Sequence, residues 1–231
     1  NSSKAQDDIQ YDIVLVGGRV IDPETRLDGI RNVGILNNRI AQISSQTLKG
    51  KKIVNVSGLV VAPGFIDLHV HGRTNQEQEF QLHDGLTTAL ELEWGIENLK
   101  EWYASRQSKA LINYGASVCW PYERFKALNK DEKLLTELRE ISRKGESSLA
   151  GMQDKTRHTY SMPVEPNHQA TVLENIKTSL DEGGLGIGVP IGYLAKTKPE
   201  EMYQVFKLAG ELNTLVYTHV RQPDIISIQE V

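Results

Sequence analysis

At Pro63-Gly64 the pattern of this chain changes, and the change limits what it can fold into. Before that point, short β-rich runs follow one another with only turns between them. After it, strand-like apolar runs alternate with helical stripes, the sequence sign of a parallel α/β architecture. Strands are expected at residues 65–71, 86–93, 110–117, 185–191 and 215–219. Between them Leu99, Trp102 and Tyr103 share a helical face, as do Leu134, Leu135, Leu138 and Ile141. Val172, Leu173, Ile176 and Leu180 mark a further helix, stopped by Gly183-Gly184. Thr197 and Glu200 have capping-box spacing around Pro199, and Met202, Val205, Phe206 and Ala209 supply the stripe of the helix that follows.

Five strands of this kind match the opening of a (β/α)8 TIM-type barrel. A closed barrel takes about 250 residues by itself, so residues 63–231 are expected to form a partial barrel and the chain is expected to be incomplete. Residues 11–62 read as a small β-domain, the N-terminal part of a β-sandwich, with strands at 12–16, 19–21, 33–36, 39–43, 53–56 and 59–61. Asn37-Asn38 suits the positive φ of a tight hairpin. Gly17-Gly18 is not a nucleotide loop, because no helix start follows it. Residues 1–10 are polar and expected to be disordered.

Composition narrows the function by exclusion. The net charge is -4 with acids and bases interspersed, which gives no reason to expect nucleic acid or an anionic membrane as partner. No apolar run approaches a membrane span. Cys119 is the single cysteine, so there is no internal disulfide framework. With no histidine beside it, it reads as an inert thiol rather than a nucleophile. Asn1 suits either a processed signal-peptide stub or a trimmed chain, so a cytoplasmic and a periplasmic or secreted location both stay open.

The chemistry gathers at the strand ends. Side chains two apart on a strand point the same way, so His69 and His71 would project together from the end of the first barrel strand. Converging imidazoles suit a divalent metal such as zinc. A His-x-His pair alone is weak evidence, but His219 sits at the end of the fifth strand, and barrel active sites lie at those ends. A hydrogen-bonded strand-end histidine is the plain alternative for His219. Glu91 and Glu93 share one face of the buried second strand. A buried unpaired carboxylate costs several kcal/mol, so the pair calls for partners. A metal is one partner for Glu93; an arginine or lysine of a neighbouring strand is an equal alternative. His83, His158 and His168 lack matching partners and read as helix-end or loop residues.

Residues 11–22 (YDIVLVGGRVID) and 58–71 (GLVVAPGFIDLHVH) resemble the amidohydrolase superfamily. Within it the chain most resembles the D-aminoacylase and N-acyl-D-glutamate deacylase branch, with dihydroorotases and hydantoinases more distant. The resemblance implies metal-dependent hydrolysis of a non-peptide C–N bond in a small-molecule amide, such as an N-acyl-D-amino acid, with one or two zinc ions. It implies His69, His71 and His219 as ligands. Many members bridge two metals with a carboxylated lysine on the fourth strand, but residues 186–192 (GIGVPIG) contain none. D-aminoacylases use a cysteine of the second strand, and Trp94 stands in its place. Glu93, one position earlier, is the candidate for the substituting bridge, with Glu91 behind it. Arg73, Tyr193 and Arg221 are candidate substrate contacts, although an ordinary loop arginine is an equal reading of Arg73. The family's catalytic aspartate belongs to an eighth strand, so no residue of this chain is assigned that role. A cyclic amidohydrolase and a non-catalytic scaffold are the alternatives, and three converging ligands argue against the scaffold. Homo-oligomerisation is allowed by the sequence.

Overall fold

A computed structural model describes residues 9–129, 131–144, 156, 162–194 and 196–221. The chain divides into two compact units, Asn1–Gly64 and Phe65–Val231, each described by itself. In the first, β1 (Gln10–Asp22), β2 (Leu27–Leu36), β3 (Arg39–Ser44), β4 (Lys49–Asn55) and β5 (Val60–Val61) form one sheet. Its order is β3-β2-β1-β4, with β5 also paired to β1. Asn37 and Asn38 join β2 to β3 at φ 52° and 60°, as the hairpin reading requires. Gly17-Gly18 does not separate two strands. It forms a bulge in the continuous β1, with the register shifting between Leu15 and Gly18 and Gly17 at φ 77°. Gln10 opens β1, so the expected disorder does not reach it; residues 1–8 lie outside the described residues.

The second unit is a parallel half-barrel. Its strands are β6 (Phe65–Asp67), β7 (Leu86–Ile96), β8 (Asn113–Cys119), β9 (Ile187–Val189) and β10 (Val216–Thr218), ordered β10-β9-β8-β7-β6. The helices are α1 (Asn75–His83), α2 (Leu99–Arg106), α3 (Trp120–Leu128), α4 (Glu132–Ser142), α5 (Pro166–Asp181) and α6 (Pro199–Glu211). Among the described residues, no helix is long and apolar enough to cross a membrane. Trp120, Phe125, Leu138, Ile176, Ile187 and Val205 are fully buried in one core between helices and sheet.

Two expectations are corrected. The strand expected at residues 65–71 stops at Asp67 and is not buried: Phe65 and Ile66 are 65% and 64% exposed, because β6 is the edge strand. The capping box expected at Thr197 and Glu200 does not form; Lys198 occupies the cap position of α6 without a side-chain bond. A capping box exists instead at Thr74 and Glu77, opening α1, a helix whose polar sequence carries no apolar stripe. α3 also escapes pattern reading, because it is buried nearly all round and so lacks an amphipathic period.

α3 is tied down by charge. Arg124 Nε donates to Glu201 Oε1 of α6 at 2.6 Å, and Ser179 Oγ of α5 donates to Glu123 Oε1 at 2.8 Å. Burial raises the Glu123 carboxyl from 4.5 to about 7, against the lowering pull of Lys126 and Ser179. A folded-state pKa above the unfolded one means that folding favours the protonated form. The penalty is therefore absent below about pH 4.5, grows from there to pH 7, and is full above it. At about 1.36 kcal/mol per unit, its full size is on the order of 3 kcal/mol. Wild-type stability should fall between pH 5 and 8. Glu123→Gln, which keeps the acceptor for Ser179, should flatten that part of the profile in urea denaturation; parallel profiles would rule out Glu123 as the source.

Candidate metal centre

The site is built on an irregularity in β7. Glu91 pairs with Ala116 of β8, but the next paired residue, Val118, faces Ile96, so residues 92–95 bulge against one residue of the partner. Gly95 makes the bulge possible. It sits at φ 82°, and a Cβ there would lie 2.7 Å from Ser117 O and Cys119 N. Ser117 Oγ donates to Leu92 O at 2.5 Å and pins the bulge to β8. Gly188 of β9 leaves room for it as well, since its Cβ would meet Leu92 O and Glu93 O at 2.8 Å. Bulges of this kind re-aim side chains beside functional sites. Here Glu91 and Glu93 stay buried, at 2% and 6% exposure.

His69 and His71 lie beyond the end of β6, so strand alternation does not bring them together. A turn does: Asp67 Oδ1 accepts from His69 N at 2.9 Å, and Val70 N donates to Leu90 O at 3.4 Å. The two rings come to 5.7 Å between centroids, nearly perpendicular. Glu91 accepts from His71 Nδ1, with its two oxygens at 2.9 and 3.1 Å. A carboxylate only accepts, so this contact assigns the hydrogen to Nδ1 and makes Nε2 the nitrogen that carries the lone pair.

Glu93 lies between the histidines. Its Oε2 is 4.0 Å from His69 Nε2 and 3.8 Å from His71 Nε2, while its Oε1 is 3.0 Å from His219 Nδ1. The last approach lacks hydrogen-bond geometry, so Oε1 is buried without a hydrogen-bond partner among the described residues. One ligand atom from each of His69, His71 and Glu93 falls within 4.8 Å of the others. Nitrogen, nitrogen and carboxylate oxygen suit zinc, and the orphaned Glu93 oxygen suits a cation. His219 follows β10 directly, its N–H donating to Val189 O at 3.2 Å.

The remaining candidates separate. Tyr193 lies in a short 3-10 turn after β9, its ring 4.7 Å from His219 and 5.8 Å from Trp94. Arg221 Nη2 donates to Leu194 O at 3.3 Å. Arg73 is neither a free anchor nor an ordinary loop residue. It is buried, with Nη1 on Glu97 Oε2 at 2.5 Å and Nη2 on Gly95 O at 3.1 Å, so it braces the bulge. Nothing in the sequence marks Glu97 as its partner. Ser117 and Gly188 were also passed over, although small residues facing a carboxylate-bearing strand are a usable signal. Cys119 is fully buried and its thiol is pushed well up by that burial, consistent with an inert role. His83 ends α1 and His168 lies in the first turn of α5; His158 is outside the described residues.

The fold is thus a parallel half-barrel whose strand ends carry histidines and a buried glutamate, a group that could hold a metal ion. No family model matches the chain. A dihydroorotase of Streptococcus pneumoniae is 37% identical over 79 residues, covering 33% of this chain and 19% of that protein. A dihydroorotase of Solibacter usitatus is 44% identical over 62 residues, covering 26% and 14%. Among solved structures, N-acyl-D-glutamate deacylase of Bordetella bronchiseptica, complexed with zinc and a phosphonate inhibitor, superposes with a TM-score of 0.70 at 18% identity over 93% of this chain and 46% of that one. D-aminoacylase superposes at 0.67 and 18% identity, over 92% and 46%. The chain thus shares its fold with these two deacylases and, over 62–79 residues, sequence similarity with dihydroorotases. It spans under half the length of these solved relatives, and its alignments cover under a fifth of the curated ones.

Gly95→Ala tests the frame of the site. Strain at positive φ and the backbone clash should together cost about 2 kcal/mol or more, read as a lower urea midpoint. An unchanged midpoint would mean that the bulge tolerates a side chain and does not depend on Gly95.

Proposed function

We propose that this chain supplies metal ligands to a metal-dependent hydrolase of non-peptide C–N bonds, acting as a deacylase on N-acyl-D-amino acids such as N-acyl-D-glutamate. The observation that carries the proposal is the Glu93 carboxylate, with one oxygen toward His69 and His71 and the other toward His219. Those four residues would hold the metal, with Glu93 as the anionic bridge if two ions bind. When bound, a divalent ion such as zinc lowers the pKa of water toward about 7 and polarises an amide carbonyl.

The chain's own residues do the positioning. Glu91 fixes the His71 ring and its tautomer, as acidic partners of metal-ligating histidines do. Tyr193 is exposed and leans on His219, which makes it a candidate surface for the substrate beside the ligands. Arg221, nearby through its bond to Leu194 O, is the remaining candidate for a substrate carboxylate. Arg73 is not, because Glu97 holds its guanidinium. The deacylase assignment draws support from two deacylase folds with TM-scores of 0.70 and 0.67. A second reading, a cyclic amidohydrolase of the dihydroorotase kind, is favoured by the 37% identity over 79 residues.

Two measurements on the full-length protein test this. Metal analysis should find a divalent ion; Glu93→Gln should keep the fold while metal content and turnover both fall, and Glu91→Gln should lower metal content less. Full occupancy and activity in Glu93→Gln would place the bridge elsewhere and leave Glu93 a structural residue. A panel of N-acyl-D-amino acids, their L-enantiomers and dihydroorotate then separates the two substrate readings. Turnover of dihydroorotate alone would replace the deacylase assignment.

A further inference from the structure

A second concave site lies behind the loops that follow β6 and β7. It is a cavity of about 270 Å³ lined by residues 73–75, residues 96–98, Glu101, Trp102, Ser105 and Arg106 of α2, and Arg139 and Arg143 of α4. Four arginines and two glutamates face it. Arg73 pairs with Glu97, and Arg143 pairs with Glu101 across the cavity from α4 to α2. Arg106 and Arg139 are left without an ion pair among the described residues.

Arg106 is the unusual member. It is 1% exposed, and neutral groups satisfy its Nη atoms: Asn75 Oδ1 at 3.1 Å, Gln78 Oε1 at 3.0 Å and Gly72 O at 3.3 Å. Its guanidinium stacks on Trp102 at 4.4 Å. Its Nε is buried with no hydrogen-bond partner among the described residues. Burial lowers its pKa to about 10, with Glu77 pulling the other way, so it stays charged at neutral pH. Arg139 has only Thr136 Oγ1, at 3.1 Å. A buried guanidinium stays charged only with compensation, and converging arginines are the chemistry that recognises phosphate.

We propose that this cavity is a binding site for a phosphate group, presented either by inorganic phosphate or by a small phosphomonoester, and separate from the histidine centre. Arg106 and Arg139 supply the charge, and the Asn98 side-chain amide, whose oxygen caps α2, lines the cavity as a neutral donor. The volume leaves room for a short organic group beside the phosphate.

Calorimetric titration of the full chain at ionic strength held constant with chloride tests this, using inorganic phosphate in one arm and glycerol phosphate in the other. Saturable binding is expected in at least one arm, and the tighter arm identifies the source of the phosphate. Arg139→Gln removes a half-buried side chain with a single hydrogen bond, so the fold should survive, while affinity should drop at least tenfold. Lys133→Gln, on the same helix but outside the cavity, should bind as wild type. No saturable binding in either arm overturns the proposal. So does a folded Arg139→Gln with unchanged affinity, or an equal loss in Lys133→Gln.

Discussion

Everything at the strand ends depends on keeping two carboxylates buried in a sheet that, among the described residues, offers them no arginine or lysine. Glu91 and Glu93 sit in a parallel strand with neighbours on either side. Burying charge there is costly unless partners are close. The fold's answer is geometric. The bulge at residues 92–95 interrupts the pairing of β7 with β8 near the strand end, where Glu93 meets the histidines. Gly95 and Gly188 make backbone contacts there that leave no room for a Cβ, and the Ser117 hydroxyl pins the bulge at Leu92 O.

The obvious cation near the site is diverted. Arg73 follows His71 by two residues, yet its guanidinium is buried against Glu97 and Gly95 O rather than the two carboxylates. Three imidazoles are therefore the groups placed around Glu93. Neutral imidazole is a ligand rather than a counter-ion. The same pairing of Arg73 with Glu97 forms part of the wall of the arginine-lined cavity, so one ion pair bounds both sites.

Much of this was legible in the sequence, for reasons that differ by element. The half-barrel was legible because buried parallel strands and amphipathic helices carry different periods. α4, α5 and α6 show clear stripes, whereas α1 is polar and α3 is buried nearly all round, and neither gives a period to read. The hairpin at Asn37-Asn38 was legible from turn chemistry alone. Of the site, His69, His71, Glu93 and His219 were legible as a set because they fall at strand ends. The Arg73–Glu97 pair was not, since it joins residues 24 apart through a loop conformation that no local pattern encodes. The bulge was likewise hidden: Gly95 suggests a special φ, but the register against β8 is a property of two strands.

The histidine pair comes together through a local structure other than the one expected. Strand alternation was expected to aim both rings one way, yet β6 ends at Asp67 and the histidines lie past it. Side chains and single backbone bonds from neighbouring elements hold the loop instead. Gln81 of α1 donates to His71 O at 3.1 Å, Glu77 accepts from Arg73 N at 2.9 Å, and Trp102 of α2 donates to Arg73 O at 2.9 Å. Glu91 then takes the His71 ring itself. Sheet pairing would have fixed the backbone and left the rings to their rotamers. Anchoring on both flanks, together with a carboxylate on Nδ1, sets where the Nε2 lone pair of His71 points. The edge strand can therefore be short and exposed without loosening the site, because the constraints come from β7, α1 and α2.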